Sequence, residues 1–180
     1  MFYVSEVKTE APEFFKTPLQ QRVYQTLDHL RIPFERVETE EAITMADCVS
    51  INEKLDMNMV KTLFLCNRQQ TEFFLFITQG DKPFVSKAFS TALGVARVSF
   101  APAEAMETRL GTRIGAATIF SALLESARDV QIVMDRDVLS QQWYGCSDGT
   151  TTGYMRLQTA HIVNDFLAYT KRTPVRVIAV

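Results

Sequence analysis

The sequence lacks an excess of basic residues. Its 180 residues contain 19 lysines and arginines against 21 aspartates and glutamates, for a formal charge of −2. The two signs are mixed along the chain, so there is no basic stripe of the kind that binds a nucleic-acid duplex. We therefore expect no DNA partner, whereas contact with one short single-stranded end is consistent with this charge.

Long apolar runs are also missing. No segment approaches the roughly 20 continuous apolar residues of a membrane helix. The N-terminal segment MFYVSEVKTEAPEFF carries acids where a signal peptide needs an apolar run. We expect a cytoplasmic protein with no membrane partner.

Cysteine and histidine are scarce. Cys48, Cys66 and Cys146 are an odd number with wide spacing, which matches neither a disulfide framework nor a zinc motif. We expect free thiols, with Cys66 in the core. His29 and His161 both fall in predicted helices, and no close spacing of ligands builds a metal site. We expect neither a metal nor an organic cofactor.

Apolar residues are plentiful, at 47% of the chain, which is enough for the core of one domain spanning residues 1–180, with its core at about 17–170. Helices are predicted to begin near Pro18, Thr44, Lys87, Pro102 and Thr159. Strands are predicted at Ile32–Val37, Val60–Cys66, Phe73–Thr78, Val95–Phe100, Val130–Met134, Trp143–Cys146, Tyr154–Leu157 and Val175–Val180. Many of the connections are too short for parallel crossovers. The pattern predicts an α+β fold with a mixed, largely antiparallel curved sheet and flanking helices.

Lys61 stands at the start of a strand whose continuation, Leu63 to Cys66, is wholly apolar. Such a run indicates a strand covered on both faces, so a lysine at its end must reach solvent or pair with an anion. A strand-end lysine that points into a cleft can hold a phosphate or a carboxylate. On its local sequence alone, Lys61 fits an exposed surface lysine better than a ligand-binding one.

A loop of small residues precedes Ile119. Gly115, Ala116, Ala117 and Thr118 would allow a ligand to approach the backbone and bind main-chain N–H groups. The spacing fits neither a dinucleotide-binding loop nor a P-loop. A plain helix C-cap followed by a loop explains the same residues equally well.

The turn from Cys146 to Thr152 is rich in hydroxyl groups. Asp148 and Thr151 are candidates to orient a ribose or a water molecule. The cysteine also raises the alternative of a cysteine hydrolase, but its base would have to be His29 or His161, both on predicted helices. We therefore give this alternative little weight.

Four segments in order resemble the YbaK/PrdX family of aminoacyl-tRNA editing domains. They are VKTLFL at Val60–Leu65, the stretch from Lys87 through ALGVARVSFAPAEAMETRLG, then GAATIFSAL, and finally GTTTGYMRL followed by a helix. The similarity extends from about Thr17 to Phe166. It is strongest to the freestanding prolyl-tRNA editing branch, whose members hydrolyse a wrong amino acid, typically alanine, from tRNA for proline.

The resemblance implies roles for particular residues. Lys61 matches the family's functional lysine and would be the catalytic residue that anchors the terminal nucleotide, with Thr62 beside it where the family often has asparagine. Gly115 to Ile119 match the family's G-x-x-x-P loop, which would bind the aminoacyl group. Phe120 and its apolar neighbours would set the size of the aminoacyl pocket. The implied partner is the acceptor end of an aminoacyl-tRNA, and an aminoacyl-tRNA synthetase is a further candidate.

The sequence departs from the family pattern at several positions. Ile119 replaces the motif proline, so the loop loses a fixed φ angle. Glu40 and Glu41 occupy the region of an early family histidine. Tyr144-Gly145 and Asp148 stand roughly where the family has a late histidine-proline and an asparagine. These departures leave open a second interpretation, a module that keeps the pocket but binds an aminoacyl-tRNA end, a nucleotide or a protein without hydrolysis.

Overall fold

The computed structural model describes residues 1–42 and 44–180. Its first half contains α1 (Pro18–His29), β1 (Glu35–Glu38), α2 (Val49–Leu55), β2 (Val60–Asn67), β3 (Phe73–Gln79), α3 (Ser86–Leu93) and β4 (Val98–Phe100). The second half contains α4 (Ala103–Ala105), which continues as π-helix over Met106–Leu110, then 3-10 turns at Ile119–Leu123 and Glu125–Ala127, β5 (Val130–Asp135), α5 (Arg136–Leu139), β6 (Trp143–Ser147), β7 (Gly153–Gln158), a π-helical segment at His161–Phe166 that continues as α6 (Leu167–Tyr169), and β8 (Arg176–Ile178).

The strands form two sheets. The larger has the order β4-β2-β3-β5-β8, with antiparallel pairing among β4, β2 and β3 and parallel pairing from β3 to β5 and from β5 to β8. The smaller sheet, β1-β7-β6, is antiparallel throughout. The predicted α+β fold with a mixed, largely antiparallel sheet is therefore confirmed.

The larger sheet is covered on both faces, as the apolar run in β2 predicts. Alternate residues of a strand point to opposite faces. Phe64 and Cys66 enter the main core, which also contains the inner face of α1, whereas Leu65 packs on the other face with Phe89 and Leu93 of α3. Two cores thus hold the position and tilt of β2.

The beginning of α1 agrees with the sequence prediction. Thr17 accepts a hydrogen bond from the Gln20 backbone N–H, and Pro18 occupies the first helical position.

The prediction that the next helix begins at Thr44 is wrong. Thr44 and Asp47 do exchange the two hydrogen bonds of a capping box, at 3.0 and 3.3 Å, but the residues between them and α2 form turns with i→i+3 hydrogen bonds, and α2 begins only at Val49.

Two strands begin later than predicted for one shared reason. The Ile32 N–H donates to the Leu27 carbonyl, and the Val95 N–H donates to the Ser90 carbonyl. Both bonds belong to the C-terminal caps of α1 and α3, where orphan helical carbonyls need donors. The apolar residues that follow each helix therefore finish its cap, and β1 and β4 begin three residues further along.

Candidate functional site

Within residues 1–42 and 44–180, no strand pairs with the first half of β2 along one of its edges. β4 pairs with β2 only at Leu65, Cys66 and Asn67. At the other end of this stretch, just before β2 begins, β6 contacts the chain through a single bridge between Met59 and Gly145. The edge between these two contacts is open, and a cavity of about 450 Å³ lies against it.

The cavity brings together three segments that lie far apart in the sequence. Lys61 and Thr62 come from β2, Gly115 and Ala117 from the glycine loop, and Ser147 from the end of β6. Successive residues of β2 point to opposite faces of the sheet, yet both Lys61 and Thr62 line the cavity because the open edge exposes both faces. The lysine and the glycine loop that the sequence singled out thus border one space.

The position of the Lys61 ammonium group is fixed by the loop after β3. Its Nζ donates to the backbone carbonyl of Lys82 at 2.5 Å. The Nζ of Lys82 in turn lies 2.7 Å from Asp135, 2.7 Å from Asp137 and 2.8 Å from the Val180 carbonyl. An ammonium group has three donors, so within the described part of the chain this contact leaves two on Lys61 for a ligand.

Asp135 anchors this arrangement from inside the protein. It is completely buried at the end of β5, where it caps α5 and accepts a hydrogen bond from Thr78 at 2.7 Å. Burial by itself raises the pKa of Asp135, but the hydrogen bonds from Lys82 and Thr78 outweigh burial and lower it below its ordinary value. Burial likewise lowers the pKa of Lys82, and the hydrogen bonds to Asp135 and Asp137 raise it overall. The pair is therefore ionised at neutral pH.

The backbone of Thr62 faces the open edge. The Phe64 carbonyl accepts from the Ala101 N–H at 2.9 Å, so it points away from β3. Every second residue of a strand directs its N–H and C=O to the same edge, so the other even-numbered residues of β2 do likewise. Thr62 is one of these residues, and it lies before Leu65, where the pairing of β2 with β4 begins. Its N–H and C=O thus point toward the side of the strand where the cavity lies.

The glycine loop forms the opposite wall. Gly115 has a φ of +90°, a conformation that side-chain-bearing residues rarely adopt. The Ala116 N–H closes a tight turn onto the Arg113 carbonyl at 3.0 Å. Gly115 and Ala117 line the cavity, whereas the buried Ala116 faces a second groove on the other side of the loop.

The three residues after this loop support it from behind. Thr118, Ile119 and Phe120 are fully buried. The Thr118 hydroxyl donates to the Ser147 carbonyl at 2.9 Å, and Ile119 and Phe120 belong to the main core. None of the three lines the cavity. Core packing turns these side chains inward, so the loop reaches the cavity through Gly115 and Ala117, and the roles expected for Thr118, Ile119 and Phe120 at the aminoacyl group stay predictions.

Asp148 and Thr151 also lie outside the cavity. Asp148 is buried and accepts hydrogen bonds from Gln20 at 2.9 Å and from the Tyr24 hydroxyl at 2.8 Å, which joins the turn to α1. Burial, followed by the charge of Asp148, raises the pKa of Tyr24. Thr151 lines the second groove with Ala116. Asp148 therefore links the turn to α1 in this structure, and its expected contact with a ligand stays a prediction.

Two thiols reach the cavity, but neither is a ready nucleophile. Burial, followed by the charge of Asp47, raises the pKa of Cys48 to about 11, and burial raises that of Cys146 well above its ordinary value. A protonated thiol is a poor nucleophile. Neither histidine lines the cavity, and His161 instead pairs with a neighbour on its own helix. The geometry therefore disfavours the cysteine-hydrolase alternative.

Three apolar side chains at the cavity were missed by sequence reasoning. Phe100 and Ile114 are each 62% exposed, and Met45 is also exposed. Phe100 packs against Phe84 with a distance of 5.6 Å between ring centroids. A nucleobase stacks well on an exposed aromatic ring. No sequence signal separates such residues from core residues, because apolar character alone does not reveal exposure.

The described residues give two further findings that limit the possible chemistry. No three histidine, cysteine, aspartate or glutamate side chains among residues 1–42 and 44–180 are grouped as a metal site requires. None of the helices in these ranges has the length and hydropathy that crossing a bilayer demands.

Comparison with known proteins adds three kinds of similarity. Residues 39–164 match the profile of the family described as aminoacyl-tRNA editing domain. The prolyl-tRNA editing protein ProX of Acetoanaerobium sticklandii is 25% identical over 123 residues, which cover 68% of this chain and 74% of that protein. The prolyl-tRNA synthetase associated domain-containing protein 1 of Danio rerio is 25% identical over 159 residues, which cover 87% and 85%.

Solved structures share the fold. A crystal structure of a candidate trans-editing enzyme for prolyl-tRNA synthetase superposes with a TM-score of 0.65 at 16% identity and covers 92% of this chain and 98% of that one. A hypothetical protein of known structure gives a TM-score of 0.69, also at 16% identity, over 88% and 97% of the two chains.

Proposed function

The chain belongs to the aminoacyl-tRNA editing domain family, and we propose that it hydrolyses the ester of mischarged aminoacyl-tRNA, acting in trans on a small amino acid, with alanine on tRNA for proline as the first candidate. The observation that carries this proposal is that Lys61 and Gly115 border the same cavity. The name of the bacterial relative, a prolyl-tRNA editing protein, supports the choice of tRNA.

Physical chemistry explains the need for such an activity. A synthetase pocket shaped for proline cannot strongly exclude a smaller amino acid, because each missing methylene contributes only about 1–3 kcal/mol of discrimination. A second protein with its own pocket then removes the error. The acceptor end of aminoacyl-tRNA is therefore the proposed partner, a synthetase a further one, and the cytoplasm, where translation takes place, the proposed location.

In the proposed reaction, water attacks the ester carbonyl. A carbon–oxygen bond forms to the water, the bond from the carbonyl carbon to the ribose oxygen breaks, and the ribose oxygen takes up a proton. We assign the main-chain N–H groups of Gly115 and Ala117, the loop residues that line the cavity, to the developing negative charge on the carbonyl oxygen. We assign the Lys61 ammonium to a phosphate or ribose oxygen of the terminal nucleotide, and Thr62 to a polar contact beside it.

The base for this reaction is proposed to be part of the substrate. The described residues that line the cavity include no histidine and no carboxylate. The ribose hydroxyl next to the ester is close to the attacking water in any productive pose. Orientation of the ester, hydroxyl and water in line supplies most of the required acceleration in this scheme.

A second candidate function is binding without hydrolysis. The specific observation that favours it is the same lack of a side-chain base, together with Ile119 in place of the motif proline. In that case the cavity would still accept an aminoacylated adenosine, but the ester would persist.

Deacylation assays separate the two functions. Purified protein is incubated with alanyl-, cysteinyl- and seryl-tRNA for proline, with correctly charged prolyl-tRNA as the control, and remaining ester is measured over time. Loss of at least one mischarged ester above the buffer rate, with prolyl-tRNA spared, is expected. Binding of a non-hydrolysable alanyl-tRNA analogue without deacylation of any substrate would select the second function, and failure of both would overturn the two together.

A further inference from the structure

A polar groove lies on the far side of the glycine loop from the cavity. It has a volume of about 430 Å³. Its walls include Lys16 and Thr17 at the start of α1, Thr112 and Arg113 of the glycine loop, Glu41, and the turn at 149–152. Since Ala116 faces this groove while Gly115 and Ala117 face the cavity, one thin loop separates the two spaces.

The groove presents mainly hydrogen-bond donors and positive charge. Lys16 reaches across it and donates to the Thr152 hydroxyl at 2.6 Å. The first turn of α1 contains no acidic side chain of its own, although Thr17 caps its Gln20 N–H and the buried Asp148 carboxylate accepts from the Gln20 side chain. Glu41 is the only carboxylate in the described lining. Its ion pair with Arg113, at 3.2 Å, is solvent-exposed and therefore weak.

Thr112 supplies an independent sign of a missing ligand. Thr112 is only 3% exposed, it lines the groove, and its hydroxyl oxygen is itself buried and has no hydrogen-bond partner among residues 1–42 and 44–180. Buried hydroxyls are nearly always paired, because desolvation without a partner is unfavourable. An acceptor oxygen from outside the chain would satisfy this hydroxyl after a small local shift of the groove wall that uncovers it.

We propose that the groove binds a phosphodiester of the single-stranded RNA end, upstream of the adenosine whose ester enters the cavity. This inference rests on the proposed function. A phosphate oxygen suits a lysine, an arginine and a hydroxyl at once. A strand that crosses the glycine loop places its terminal ester on one side and a preceding phosphate on the other. The local charge at this groove explains how a chain of net charge −2 binds RNA.

The first experiment compares two stable probes. One is adenosine with alanine joined to its 3′ position by an amide bond, and the other carries the same group on the trinucleotide CCA, which adds phosphodiesters. The trinucleotide is expected to bind about 10-fold more tightly at low salt, and its affinity alone is expected to fall as salt rises. Binding of neither probe would overturn the proposed function. Equal binding of the two would overturn the groove inference and leave the proposed function intact.

Charge variants then locate the phosphate. Lys16→Ala with Arg113→Ala is expected to remove most of the about 10-fold advantage of the trinucleotide and to flatten its salt dependence, without weakening the adenosine probe. The matched control is Arg68→Ala with Lys171→Ala, which removes two exposed cations that line neither space. Equal losses in the two double variants would show long-range attraction only and overturn the assignment.

Two conservative variants test individual contacts. Thr112→Val keeps the shape of the side chain and is expected to weaken the trinucleotide about 5-fold without lowering the urea midpoint of unfolding. A lowered midpoint with unchanged binding would show that the hydroxyl is paired with buried water, against the inference.

Glu41→Gln removes the competing carboxylate and is expected to tighten trinucleotide binding by about 2- to 5-fold. Weaker binding in this variant would show that Glu41 itself contacts the ligand and would contradict a phosphate at this position.

Discussion

Lys61 donates a hydrogen bond from its Nζ to the backbone carbonyl of Lys82 at 2.5 Å. Because the Lys82 ammonium is itself bound by the buried Asp135 at 2.7 Å, a continuous set of contacts runs from the interior of the larger sheet to the cavity. The flexible side chain of a lysine is thereby held in one region of the site before any ligand arrives. Such preorganisation reduces the entropy lost on binding.

The first prediction concerns the charge of Lys61. Lys61→Ala is expected to lower kcat/KM for alanyl-tRNA by about 100-fold, because a charge-assisted hydrogen bond to the terminal nucleotide contributes about 1.5–3 kcal/mol. Deacylation rates and the circular dichroism spectrum are measured together. Lys54→Ala, which removes a lysine that pairs with Glu6 on the surface, serves as the control. An unchanged rate in Lys61→Ala would return Lys61 to the status of a surface charge.

The second prediction separates backbone strain from a role in the site. Gly115→Ala places a side chain at a φ of +90° and is expected to cost about 1–3 kcal/mol of unfolding free energy and to abolish most deacylation. Gly94→Ala, at a φ of +74° in the cap of α3 and with open space around its Cβ, carries a similar backbone cost away from the cavity. Activity is expected to fall only in the first variant. Equal activity in both would remove the loop from the mechanism.

The third prediction concerns the missing motif proline. Thr118 is already extended, with φ of −148° and ψ of 148°, and Ile119 begins a 3-10 turn, where proline is well tolerated. Ile119→Pro is therefore expected to change kcat/KM by less than about 3-fold. It is expected to lower the unfolding free energy by about 1–2 kcal/mol, since part of a buried side chain is lost. A rise in activity of about 10-fold or more would indicate that the natural loop is misaligned and would favour the binding module.

The fourth prediction is a pH dependence of stability. The pKa of Asp135 is lower in the folded protein than its ordinary value of 3.8, so the unfolded chain binds more protons in the acidic range. The stabilisation is complete above that value and is lost as the pH falls through the folded-state pKa. Asp135→Asn, which retains a capping side chain, is expected to cost about 3 kcal/mol at neutral pH and to flatten the decline in stability between about pH 5 and pH 2.

Urea unfolding across this pH range provides the measurement. Asp137→Asn is the control, because Asp137 is largely exposed and its ion pair with Lys82 contributes at most about 1 kcal/mol. A wild-type profile that runs parallel to that of Asp135→Asn would show that Asp135 is not the group responsible.

The fifth prediction concerns the thiols. Since burial raises the pKa of Cys146 well above its ordinary value, the thiol is protonated at neutral pH. Cys146→Ala is expected to retain deacylase activity within about 3-fold, and iodoacetamide at pH 7 is expected to leave the wild-type protein active. Inactivation by the reagent that Cys146→Ala prevents would restore the cysteine-hydrolase alternative.

The sequence predicted the elements of the fold well because most of them depend on local signals. Thr17 and Pro18 mark the beginning of α1, and Gly94 ends α3 in a left-handed conformation, as their residue types require. The later beginnings of β1 and β4 escaped prediction, since apolar residues such as Ile32 and Val95 fit a helix cap as well as a strand.

The site was predictable only in part, because it depends on contacts between distant segments. The spacing and the family resemblance located Lys61, Thr62 and the glycine loop, all of which have residues on the cavity. They did not reveal that Phe120 turns into the core or that Phe100 remains exposed. Which side of a small-residue loop faces a ligand is decided by packing against Ser147 and the main core, and this packing leaves no local pattern in the sequence.

The open edge of β2 bears on self-association. Unpaired strand edges invite a second chain to add on and so promote aggregation. In the part of the chain that the structure describes, the stretch without a strand partner on this edge runs only from Val60 to Leu63, about 13 Å of strand. The Met59 bridge closes one end and β4 closes the other, so an incoming strand finds too few partners to pair stably. The protein can therefore keep backbone donors and acceptors free for a small ligand without exposing a template on which copies of itself would assemble.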